Sequence, residues 1–113
     1  MVRIPQRGDI YHIDLDPTKG KEQRGRRYVF VLSPVLYNRS GLVIALPISQ
    51  GQTLARSMGF ACTLMGAATK TQGVIICDQP RTIDFMVRGA RYVETAPDYV
   101  TNDVLGRVAP LVT

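Results

Sequence analysis

Two stretches of the chain gather the groups able to do chemistry. They are residues 16–27, DPTKGKEQRGRR, and residues 77–84, CDQPRTID. Each follows a segment patterned as a strand. Each sets carboxylates, amides and guanidiniums at a strand end or in a loop. A domain this small rarely needs so many such groups there for folding alone, so the two stretches are read as two walls of one active site. Arginine supplies 11 of the 14 basic side chains, and the net charge is +5. A guanidinium fork spans two oxygens of a phosphate, which an ammonium does not. The expected partner is therefore polyanionic, either nucleic acid or an acidic protein. No metal-ligand pattern stands behind the site. There is one histidine, and Cys62 and Cys77 form no CxxC pair.

The elements that must position these groups are short. Residues 8–15 alternate, with Ile10, His12 and Asp14 on one side and Tyr11, Ile13 and Leu15 on the other. That pattern predicts a half-buried strand. Residues 16–26 are too polar and glycine-rich for a strand and read as an exposed loop. Residues 27–33 (RYVFVLS) form a second strand. Ser33-Pro34 then predicts an N-cap and first helical position for one or two turns through Tyr37. Further strands are expected at 42–48, 59–65 and 73–77, the last wholly apolar and so central. Residues 81–84 would continue it beyond Pro80, and 93–95 would form a short edge strand. Residues 97–111 are the best helix, with Val100, Val104, Val108 and Leu111 on one face. Gly106 and Pro110 weaken its last turns.

A chain of 113 residues fits one domain, and 45% hydrophobic content can build a core. No run is long enough for a membrane span, and the N-terminus lacks the apolar region of a signal peptide, so the expected compartment is the cytoplasm. The two cysteines are then reduced and act as small buried hydrophobes.

The motifs GDIYHIDLDPTKGKEQRG, VLSP with YN soon after, LPIS, ARSMGF, GVIICDQPRTID and VLGRV occur in that order along nearly the whole chain. In this the chain resembles the MazF/PemK/Kid family of bacterial toxin–antitoxin endoribonucleases. The resemblance implies a mainly β fold, an SH3-like small barrel with a short helix after the second strand and a C-terminal helix. It implies a homodimer that cleaves single-stranded RNA without a metal or other cofactor, neutralised by an acidic antitoxin. In such cleavage the 2′-hydroxyl attacks its own phosphate. The reaction needs a base, cationic stabilisation of the phosphorane and a proton for the leaving 5′-oxygen.

On that resemblance Arg27 takes the transition-state phosphate. Ser49, where relatives usually carry threonine, bonds a phosphate oxygen or orients the 2′-hydroxyl. Asp78 is either a base, if partial burial raises its pKa, or a structural carboxylate of the turn at Gln79-Pro80. Glu22 is either a base or the group that holds Arg27. Gln23 and Gln79 read base edges, and Lys21, Arg56 and Arg81 contact the RNA.

Three positions depart from the Kid branch. Lys21 replaces a histidine, Ile76 replaces the arginine proposed as general acid, and Tyr28 replaces a proline. Tyr28 adds a ring that either stacks on a base or packs in the core. His12 matches no family catalytic position and reads as structural. Two alternatives stay open: a CcdB-like gyrase-binding toxin, although the chain has no tryptophan, and a degenerate relative that binds RNA or antitoxin without cutting.

Overall fold

In the computed structural model, residues 3–14, 26–50 and 59–113 are described. The order is β1 (Asp9–Asp14), β2 (Arg26–Val31), α1 (Val35–Asn38), β3 (Leu42–Ser49), β4 (Ala61–Thr63), β5 (Val74–Ile76), β6 (Arg81–Asp84), β7 (Arg91–Thr95) and α2 (Asp98–Val112). The described strand pairings are antiparallel and run β4-β5-β3-β2-β1-β7, with β6 joined to β3. This is the mainly β, barrel-like architecture with a closing helix that the sequence predicts. Among the described pairings the sheet is not closed into a full barrel.

β3 is the spine. Ala45 pairs with Val31 on one side and with Arg81 on the other, and Ile48 further along pairs with Ile75. β6 is therefore not a continuation of β5. Pro80 cannot donate to a ladder, so the chain turns there and re-enters the sheet beside the other half of β3.

The half-buried strand expected at β1 is buried on both faces. Ile10 joins one apolar cluster with Phe30, Leu46, Ile75, Val100 and Val104. Tyr11 and Ile13 join a second with Val29, Val31, Val43, Ala45 and Ile83. Residues of opposite parity face opposite sides of a strand, so the sheet separates two cores. α2 covers the first through Val100 and Val104. Leu111 does not share that role and is exposed.

Ser33 does not cap α1; Pro34 holds the N-cap position without a side-chain bond. The buried Ser33 hydroxyl instead donates to Asn38 Oδ1 and accepts the Ile44 N–H at 2.9 Å. Asn38 in turn donates to the carbonyls of Pro5 (2.8 Å) and Ser33 (3.0 Å). Buried polar groups must be paired, and this network ties the N-terminal segment, α1 and β3 together.

Candidate functional site

The beginnings of the site lie in strand ends. Arg27 follows the first residue of β2 and faces Ile13 across the ladder. Arg81 opens β6 opposite Ala45. Gln79 precedes Pro80 in the turn between β5 and β6. All three are exposed and line one cleft of about 200 Å³, together with Tyr28, Pro47, Ile48 and Ile83. Apolar walls lower the local dielectric, so a phosphate held between Arg27 and Arg81 feels their charge more strongly than it would in open solvent. Of the two stretches, Arg27 meets Gln79 and Arg81 here, and residues 16–25 lie outside the described residues.

Ser49 and Asp78 flank this cleft without lining it. Ser49 ends β3, two residues beyond Pro47, which pairs with Val29. Ser49 shares a face of β3 with Pro47 and pairs with Val74 of β5. Asp78 precedes Gln79 and is exposed, so the partial burial expected of it is not found. Ile76 is buried against β4, opposite Ala61. It is a core residue as well as a side chain with no proton to give. Glu22, Lys21, Gln23 and Arg56 lie outside the described residues.

The ring of Tyr28 stacks on His12 at 4.5 Å between centroids and packs against the first core. His12 sits half-buried opposite it in the ladder, in keeping with its structural reading. Cys62 and Cys77 are buried and free. Burial pushes the Cys62 thiol up to about 12, helped by its hydrogen bond to Asp103 Oδ2 at 3.0 Å. Burial likewise pushes Cys77 to about 11. Neither is a nucleophile at neutral pH.

Two supporting residues are given no role by the motif reading. Gly73 has φ +123°, and a Cβ there would lie 2.5 Å from the Ser49 carbonyl oxygen. Its signal in the sequence is a glycine directly before an apolar strand, which marks close backbone approach. Glu94 on β7 accepts from the Lys70 N–H (3.0 Å), the Thr71 N–H (2.7 Å) and the Thr71 hydroxyl (2.7 Å). Although partial burial pushes it the other way, these bonds hold its carboxyl below the usual range. The loop that Glu94 grips leads into Gly73, and hence to the end of β3. A contact so dependent on tertiary placement leaves no local signal.

Residues 6–112 match the model of the PemK-like, MazF-like toxins of type II toxin–antitoxin systems. The endoribonuclease PemK of Escherichia coli is 43% identical over 109 residues, 96% of this chain and 82% of its own. The endoribonuclease toxin ChpB of Escherichia coli K12 is 35% identical over 108 residues, 95% of this chain and 93% of its own. Among solved structures, a chain of the crystal structure of MazE–MazF (Form-II) from Deinococcus radiodurans is similar at a TM-score of 0.85. That match has 32% identity and covers 98% of this chain and 97% of the other.

Proposed function

The chain belongs to the PemK-like, MazF-like family of type II toxins, and from that premise we propose that it is a sequence-specific endoribonuclease that cuts single-stranded RNA. The observation that carries the reading is the convergence of Arg27, Gln79 and Arg81 on one cleft at the strand ends.

Arg27 binds the phosphate under attack and stabilises the extra negative charge of the phosphorane through its fork of N–H donors. Ser49, at the end of β3 beside the cleft, orients the 2′-hydroxyl towards the phosphorus. Asp78 assists as proton acceptor in concert with Glu22. Gln79 and Gln23 read base edges, and Arg81, Arg56 and Lys21 hold the strand through its phosphates. With Ile76 in the core, the leaving 5′-oxygen takes its proton from Lys21 or from water. The products are a 2′,3′-cyclic phosphate and a 5′-hydroxyl, and the attack needs no cofactor.

The protein acts as a homodimer in the cytoplasm, where cutting mRNA stops translation and growth. An acidic antitoxin neutralises it by occupying the basic surface. No helix among the described residues is long and apolar enough to cross a membrane.

The test is cleavage of a long RNA in EDTA, with mapping of the 5′ ends, beside Arg27→Ala. We expect cuts at one short sequence and a loss of 10²-fold or more in the variant, on the order of one lost transition-state donor. An intact RNA pool with the wild-type protein would refute the enzyme. Cleavage by Arg27→Ala at the wild-type rate would refute the role of Arg27.

A further inference from the structure

Beyond Pro47 the spine of the sheet changes partner. The described pairs of β3 with β2 end at Pro47, and the residues that follow pair with β5, Ile48 with Ile75 and Ser49 with Val74. The place of Ser49 therefore depends on the chain that leads into β5. Residues 72–73 lie against the end of that strand. The Gln72 carbonyl accepts the Gln50 side-chain amide at 3.1 Å. Gly73 approaches so closely that a Cβ would come within 2.5 Å of the Ser49 carbonyl oxygen.

What grips the start of this segment comes from the opposite end of the strand order, on β7. Side chains alternate along a regular strand, so Glu94 would share a face with Tyr92. The ladder with β1 slips there instead. Tyr11 pairs with Tyr92, but Ile10 pairs with Glu94, and Val93 is the extra residue of a bulge. Bulges re-aim side chains. This one turns Glu94 to the face of Ile10, the side of the first core, where Leu64 and Ala67 of the β4–β5 connection also pack. The half-buried carboxylate there accepts the Lys70 and Thr71 N–H groups and the hydroxyl of the buried Thr71. The Thr69 hydroxyl closes the same turn on the Thr71 carbonyl at 2.7 Å. Bonds to an ionised acceptor are stronger than neutral ones. Residues 70–73 are thus clamped between Glu94 on one side and the end of β3 on the other.

We propose that Glu94 is a positioning residue of the cleavage site. By fixing residues 70–73 it sets the place of Ser49, and so governs the rate of attack and not the affinity for RNA. The inference rests on the role given to Ser49 above.

The test is a double-mutant cycle read by single-turnover cleavage of one RNA with a mapped cut site. It compares wild type, Glu94→Gln, Ser49→Ala and the double variant at a temperature where all four are folded. Glu94→Gln puts an amide N–H against groups that are themselves donors. It should slow cutting about tenfold, the scale of one lost hydrogen bond to a charged group, with RNA affinity unchanged. In the Ser49→Ala protein, already slow, the same substitution should add little, because no hydroxyl is left to misplace. Thr71→Val should reproduce the defect, and Thr71→Ser, which keeps the hydroxyl, should restore the rate. A merely structural Glu94 would slow both backgrounds equally, and that result overturns the proposal. So does a Glu94→Gln protein whose affinity falls while its single-turnover rate holds. If Ser49→Ala is slow and Glu94→Gln cuts like the wild type, the link fails and the role of Ser49 stands. If Ser49→Ala cuts like the wild type, that role fails and the inference goes with it. A wild type that cuts nothing removes the enzyme itself.

Discussion

Replacing Gly73 by alanine tests how the end of β3 is held. Two costs add. The first is backbone strain, since φ +123° is glycine territory and an L side chain held there costs on the order of 1–3 kcal/mol. The second is the collision with the Ser49 carbonyl. The new Cβ would start at 2.5 Å, and ordinary contact begins at 3.4 Å, so Gly73 and the end of β3 must part by about 0.9 Å. Crowding of that kind typically costs about 1–3 kcal/mol. The sum, about 2–6 kcal/mol, is a large share of the roughly 5–15 kcal/mol that stabilises such a domain. A melting point lower by roughly 10–20 °C follows. Displacement by nearly 1 Å also moves Ser49, and misplacement of a site residue on that scale costs about 10²-fold in rate.

Gly66→Ala is the matched control. Its φ is +79°, yet nothing lies within 4 Å of the added methyl. It should lose only the strain, about 1–2 kcal/mol, and keep its activity when folded. Thermal unfolding and RNA cleavage at a temperature where both variants are folded would separate the two effects. If Gly73→Ala melts with Gly66→Ala and cuts like the wild type, Gly73 does not position Ser49, and the coupling between that loop and the site is absent.

Three further outcomes are expected. Arg81→Ala should reduce the dependence of RNA affinity on salt, lowering the slope of log K against log[salt] by about 0.7 for one lost phosphate contact; an unchanged slope in a fluorescence titration would place Arg81 off the RNA. Glu94→Gln should destabilise the fold by on the order of 1–2 kcal/mol near pH 7, after allowance for solvent screening. The Glu94 carboxyl is held below its ordinary value of 4.5, so its contribution is complete above that pH and is lost as pH falls through the folded value; in urea unfolding the gap between variant and wild type should therefore close on acidification, and a constant gap would contradict it. Cys62 and Cys77 should resist a disulfide-exchange reagent in the native protein at pH 8, because a thiol near 12 is ionised in only about one molecule in 10⁴ there; both should react in denaturant, and fast native labelling would show that the thiols are not held as described.

Legibility of the fold follows the range of the forces that made it. β3 and β5 announce themselves as apolar runs because each is lined by core on both sides, and the helix over residues 98–112 shows its Val100–Val104 face at helical spacing. β1 misleads because His12 and Asp14 break an apolar pattern on a face whose other member, Ile10, is wholly buried. Ser33-Pro34 misleads for a similar reason. The local pattern favours a cap, but Asn38 and the Ile44 N–H offer the hydroxyl a buried network, and tertiary pairing outweighs the local preference.

The site divides along the same line. Residue types sufficed to pick out Arg27, Gln79 and Arg81 as polar groups at strand ends. What joins them is not written near any of them. It is the double pairing of β3, which takes β2 on one edge and β6 on the other, so that Ala45 sits between Val31 and Arg81. A shift of β6 by one residue would turn Arg81 to the opposite face and bury a charge in place of Ile83. The Val43↔Ile83 pair therefore fixes the register through the second core, and the arginine arrives at the cleft as a consequence.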